Sequence, residues 1–142
     1  MTALTRERAS SIERWTYHLF PLAATKKAWK GGIAAFELGT GKVVPAAADT
    51  DHLVIGKFAD SVDATEGERK VNVNLGMEIE VEWWSNDAGS PVAADDLGML
   101  RYVLDDQTAS MATTGPVLGR VWAVDPTRGV AVQKLGSYAP AP

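Results

Sequence analysis

The amino-acid sequence predicts an all-β protein: a small barrel or sandwich of about eight short strands, preceded by an extended N-terminal arm. Three observations carry this expectation. Apolar and polar residues alternate without a break over residues 71–83. Other short apolar runs are separated by clusters of Gly, Pro and Asp that signal turns. Little of the chain shows a helical period.

Residues 1–14 are polar, and Thr5 is a candidate N-cap for a helical turn or two. Trp15, Tyr17, Leu19 and Leu22 follow at once, too many large apolar groups for a disordered tail. The leader is therefore expected to order against something: its own body, a sister subunit or another protein. Ile33-Ala-Ala-Phe-Glu-Leu38 is a strand, Gly39-Thr-Gly41 a turn, and Lys42-Val-Val-Pro45 the antiparallel return. Pro45 lacks an N–H, which marks a strand end or a sheet edge. Residues 46–51 are a small-residue connector, residues 52–59 a further strand, and residues 60–67 an acidic loop.

In the alternating stretch, Val71, Val73, Leu75, Met77, Ile79, Val81 and Trp83 occupy one face. Asn72, Asn74, Gly76, Glu78, Glu80 and Glu82 occupy the other. Thirteen residues exceed a common strand, so Gly76 is expected to break it. Either the chain bends there and passes between sheets, or it makes a tight hairpin at Leu75-Gly76. Residues 86–91 are a turn cluster and residues 93–98 a helical turn closed by Gly98. Strands follow at residues 99–104, 108–112, 119–124 and 130–134, the last two joined by Asp125-Pro-Thr-Arg-Gly129. The organisation is thus an arm at 1–14, a β domain at 15–136 and a tail at 137–142, with no internal repeat and no second domain.

At 142 residues the chain can bury roughly 68–70% of its unfolded surface without a disulfide or metal staple. It has no Cys and two His, which excludes disulfide frameworks, thiolate zinc sites, iron–sulfur centres and cysteine nucleophiles. No apolar run approaches the ~20 residues of a membrane span, and the start lacks a signal-peptide core. A soluble product made in the cytosol is expected. The net charge of -4 is unevenly spread. Residues 1–30 hold six basic and two acidic side chains, whereas residues 31–142 hold eight basic and sixteen acidic ones. An acidic body disfavours nucleic acid, while the basic leader suits an acidic partner surface.

The inventory for catalysis is poor. Neither His18 nor His52 has metal-ligand spacing, and no HExxH, GxSxG or phosphate-loop pattern occurs. Asp49, Asp51 and His52 are better read as turn residues than as a cation site. Asp95/Asp96 and Asp105/Asp106 are adjacent pairs that point to opposite faces of a strand and do not converge. No metal, cofactor or catalytic residue is expected. On the alternating strand Trp83 continues the core face, and Trp84 falls outward among Glu78, Glu80 and Glu82. Trp84 then serves as an interface anchor or lies under one of the chain's own loops. The glutamates are a solvated face, or meet the basic leader of a neighbouring subunit.

Five blocks in order resemble the head-decoration, or capsid cement, proteins of tailed bacteriophages of the Mu-like type. They are Met1-Thr-Ala-Leu-Thr-Arg6, the stretch from Lys30-Gly-Gly to Val44-Pro45, and Leu53-Val-Ile-Gly-Lys-Phe-Ala59 with Ser61-Val-Asp63. Then come Tyr102-Val-Leu-Asp-Asp-Gln-Thr108 and Gly119-Arg-Val-Trp-Ala-Val-Asp125 with Gly129-Val-Ala-Val132. Residues 77–84 and 135–142 depart from the pattern. The resemblance implies a non-enzymatic virion protein on the outer face of the expanded head. Its partner is the major capsid protein, and it sits as a homotrimer on the capsid lattice, without nucleic acid or membrane. Thr2, Leu4, Arg6, Arg8, Arg14 and Trp15 then become capsid-binding arm residues. Tyr17, Trp84, Glu78, Glu80 and Glu82 become candidates for a subunit or capsid interface. Other phage tail or baseplate modules, or a carbohydrate-binding β module, are the alternative.

Overall fold

The computed structural model describes residues 17–75 and 81–134. The expected arm and tail, and the Gly76 break, lie outside the described residues. Within them run twelve strands: β1 Tyr17–Leu22, β2 Lys27–Ala28, β3 Ile33–Glu37, β4 Lys42–Pro45, β5 His52–Phe58 and β6 Val62–Asp63 form the first half. The second half adds β7 Arg69–Asn74, β8 Glu82–Asn86, β9 Leu100–Asp105, β10 Thr108–Ser110, β11 Val117–Asp125 and β12 Gly129–Gln133. A 3-10 turn, Ala94–Asp96, stands where the helical turn is expected. The all-β class and the small barrel hold. The strands are more numerous, because the long alternating stretch contributes to two of them and the loop at 60–67 contains β6.

The strands close into two five-stranded barrels. The N-terminal ring runs β1-β4-β3-β5-β7 and closes where β7 pairs antiparallel with β1 over six residue pairs. The C-terminal ring runs β8-β10-β9-β11-β12 and closes where β12 pairs with β8. Counted along the chain, both rings have the order first, third, second, fourth, fifth. In both, the first and third strands are parallel and every other pairing is antiparallel. The chain therefore contains an internal repeat, contrary to the reading from sequence. The strands flanking residues 75–81 belong to different rings, as expected of a chain that passes between sheets rather than turning back on itself.

The repeat extends to fine structure. Each fourth strand carries a bulge: β5 slips against β3 between Ala34 and Ala35, and β11 slips against β9 between Val117 and Gly119. The extra residues, Ile55 and Leu118, are both buried. Gly31 N–H donates to the Phe58 carbonyl and Phe58 N–H to that of Gly32. Gly98 N–H donates to Val121 and Val121 N–H to Met99 in the same way. Val54-Ile-Gly-Lys-Phe58 matches Val117-Leu-Gly-Arg-Val121, and Val62-Asp-Ala-Thr-Glu-Gly67 matches Val124-Asp-Pro-Thr-Arg-Gly129. In the latter pair Thr65 N–H and Thr127 N–H each donate to the side chain of the Asp two residues before. Inward Val71 and Val73 match inward Val130 and Val132.

Two cores result. Leu22, Ala34, Val43, Ile55, Phe58, Val71 and Val73 fill the N-terminal barrel. Trp84, Val103, Ala109, Leu118, Val121, Val130 and Val132 belong to a second cluster that also contains Ile33, Ala35 and Val54. Ile33, Ala35 and Val54 lie on the outer face of the N-terminal barrel, so its β3–β5 face is covered by the C-terminal barrel. Ile33 N–H donates to the Asp106 carbonyl (2.7 Å) across this seam, and Lys57 Nζ meets Glu82 Oε2 at 2.6 Å.

Two equivalent glycines let the fourth strand of each ring lie close against the fifth. A Cβ placed on Gly56 would overlap the carbonyl of Asn74, and one on Gly119 would overlap that of Gln133. Both obstacles are backbone and cannot rotate away. Gly56→Ala and Gly119→Ala are each expected to cost more than about 2 kcal/mol in urea unfolding, against about 0.5 kcal/mol for an ordinary surface change. An unchanged midpoint would remove the close-approach argument.

Candidate contact surfaces

β1 is laid down by alternation: His18 and Phe20 turn inward while Tyr17 and Leu19 stand exposed. Phe20 makes edge contacts with His18 and Phe36, which fixes the inward face. Tyr17 and Leu19 lie opposite Asn74 and Asn72 on the outside of the ring. Two large apolar side chains thus face solvent beside polar amides, at the point where the basic leader joins the barrel. Of the expected interface residues, Tyr17 is placed on this open surface. Thr2, Leu4, Arg6, Arg8, Arg14, Trp15, Glu78 and Glu80 lie outside the described residues.

The expected orientation of the tryptophan pair is reversed. Trp84, read as outward, is 5% exposed and belongs to the core of the C-terminal barrel. It lies opposite Val130, as Phe20 lies opposite Val71 in the other ring. Trp83 lies on the outer face, with the Arg128 guanidinium stacked 4.0 Å from its ring centroid. The alternation of residues 71–83 changes phase between the rings, because β8 restarts against a different neighbour. Glu82 faces the body rather than solvent, and its carboxylate neutralises Lys57 of the other barrel.

The sequence reading passed over Trp29, which is 62% exposed on the seam side of the ribbon formed by β2 and β6. With Lys30, Gly31, Gly32, Asp106 and Gln107 it lines a shallow open pocket of about 360 Å³ where the two barrels meet. A tryptophan flanked by lysines and followed by a glycine pair was the available signal. Leu97, Met99, Met111 and Trp122 are further exposed apolar side chains, all on the C-terminal barrel. The Trp122 indole N–H donates to Gln133 Oε1.

The polar groups serve the turns. His52 is buried, and its Nδ1 accepts from Ala47 N–H. Asp49 Oδ1 accepts from Asp51 N–H, and no group of three metal-ligating side chains converges among the described residues. Asp96 accepts from Ala93 N–H and pairs with Arg101 at 3.0 Å, and these two partners hold its carboxyl below the ordinary value. Asp87 is lowered by the Ser110 hydroxyl and then by Gly89 N–H. Asp125 is lowered by the N–H groups of Arg128 and Thr127, and Asp63 by its bonds to Thr65. Asp106 differs: partial burial, and then the neighbouring Asp105 charge, push it upward.

No family model, curated protein or solved structure matches this chain. No helix among the described residues is long and apolar enough to cross a membrane.

The carboxylates give opposite pH signatures. The lowered group stabilises the fold above the ordinary carboxylate range of about 4, and that stability is lost as pH falls through the depressed values. The raised Asp106 costs the fold stability as pH rises from the ordinary carboxylate value, and the cost is complete above its own raised value. Asp106→Asn is therefore expected to unfold at higher denaturant than the parent at pH 7, with the gap closing below about pH 4. A variant that is less stable at pH 7 would show that the carboxylate is needed.

Proposed function

We propose that this chain is a capsid decoration protein that binds the outer surface of an expanded phage head and ties neighbouring major capsid subunits together. The observation that carries the reading is the placement of Tyr17 and Leu19. They are exposed apolar residues on the outer face of the first strand, between a leader that holds Arg6, Arg8 and Arg14 against two glutamates and the lysines at 26, 27 and 30, on a body that is otherwise acidic. Ordered block resemblance supports the same reading, and the described surface is one of contacts rather than of converging reactive groups. In this reading residues 2–15 form the capsid-binding arm, reaching an exposed strand edge or acidic patch on the lattice. Many identical sites on one shell then supply avidity that a single site lacks. The protein is made in the host cytoplasm and ends on the virion exterior as a homotrimer, with no catalytic role.

Removing residues 2–14 is expected to abolish occupancy on expanded capsids while leaving the β body folded, as read by cosedimentation and circular dichroism. Full occupancy by the truncated protein would sink the arm assignment.

Trp29 favours a second reading. An exposed indole beside a carboxylate, an amide and a glycine floor is a suitable platform for a sugar ring, stacking its apolar face while Asp106 and Gln107 take hydroxyls. On this reading oligosaccharides quench the indole fluorescence saturably, and Trp29→Ala removes most of that response. A flat titration of the parent protein excludes it.

A further inference from the structure

The two barrels are copies, yet they meet through different surfaces. The N-terminal barrel offers the outer face of its second and fourth strands, Ile33, Ala35 and Val54, all buried against the C-terminal barrel. The C-terminal barrel answers with the turn between its own second and third strands, where the Asp106 carbonyl receives Ile33 N–H. A contact that joins unlike surfaces of like units is head-to-tail, and it leaves one surface of each kind unmatched.

Both unmatched surfaces can be named from the repeat. Register places Ala34 opposite Gly56 and Arg101 opposite Gly119, so Ile33 corresponds to Leu100, Ala35 to Tyr102 and Val54 to Val117. These three counterparts are only half-buried, and Met99 beside them is 51% exposed, with Leu97 exposed as well. The unmatched turn is the one between β3 and β4, whose first residue, Leu38, is 42% exposed. An exposed leucine opening a turn is an unusual choice, since turn positions favour polar residues. Charge is complementary across the two open surfaces. Leu38 N–H donates to the Asp51 carbonyl, so exposed Asp51 and Asp49 border the turn. Arg120, the counterpart of Lys57, is tied to the Gly98 carbonyl at the edge of the open face. Lys57 is neutralised by a carboxylate across the internal seam, and Arg120 holds the matching place at the open one.

We infer that a second copy of this chain covers the β9–β11 face of the C-terminal barrel, inserting its Leu38 turn against Leu97, Met99 and Leu100. Repetition of the contact links chains head-to-tail, and a ring results where the rotation closes. The inference rests on the repeat alone and stands or falls apart from the capsid reading.

The chain has no cysteine, so single thiols report the contact cleanly. Leu38→Cys and Met99→Cys both lie on exposed positions and are purified separately, mixed at a total of about 1 mM, and oxidised. The mixture is expected to give a disulfide heterodimer at least about tenfold above the homodimer of either variant alone. In parallel, Leu38→Lys and Met99→Lys each lower the light-scattering mass of the parent assembly, and mixing the two restores a dimer through the one intact pair. No enrichment of heterodimer, or homodimers of one variant in excess, overturns the inference, as does a monomeric parent at that concentration.

Discussion

Strand β3 is buried on both faces, and the rest of the molecule is arranged around that constraint. Ala34 points into the N-terminal barrel while Ile33 and Ala35 point into the cluster that fills the C-terminal one, and all three are fully buried. A strand between two cores must be apolar at successive positions rather than at alternate ones. Its side chains must also be small, because each barrel approaches the same backbone. Alanine at positions 34 and 35 meets both demands. The polar backbone at the start of the strand still needs a partner, and the Asp106 carbonyl supplies it from the other barrel. Apolar burial thus brings the barrels together, and two directional contacts, this bond and the Lys57–Glu82 pair, set where they stop.

Within each barrel the same problem is solved in the same way. A ring of five strands is small, and its fourth strand must turn sharply to reach both the second and the fifth. A bulge at Ile55 or Leu118 increases the twist, and the glycine that follows lets the fifth strand's carbonyl approach to within what would be a methyl's volume. The two halves share these devices although few residues are identical between them. Shared geometry at bulge, glycine and Asx turn marks the positions where physics leaves little choice.

Much of this was legible in the sequence. The bounds of β4 and the start of β5 follow from Pro45 and His52, and the hairpins from their Gly and Asp turns. The double ring was not legible, because periodicity reports which face of a strand is buried and says nothing of its neighbours. The repeat itself was written in the Gly-centred motifs at 54–58 and 117–121, but only structure shows that each serves a fourth strand. The reversal of Trp83 and Trp84 has a related cause. A single period was carried through residues 75–81, where the chain leaves one ring and enters the next, and phase is not conserved across such a passage. Trp29 escaped notice because it follows a two-residue strand that no periodic argument detects.

Where the two halves disagree is therefore as informative as where they agree. The inward Phe20 and Trp84 differ only in how much volume they fill. The β2–β6 ribbon is a different matter: β11 runs unbroken to Asp125, whereas its N-terminal counterpart is interrupted after Phe58, so that Val62–Asp63 forms β6 and pairs with β2. That ribbon brings Trp29 and a lysine-rich edge to the seam without adding to either ring's closure. The turn between second and third strands diverges too, acidic and hydrogen-bonded to β3 in one half, led by exposed Leu38 in the other. Features that the fold does not require, placed at the surface of one copy only, are those that selection for contact would keep. On the proposed readings the contacts fall on such places: the ribbon, the Leu38 turn and the outer face of β1 on the N-terminal barrel, and the β9–β11 face on the C-terminal one.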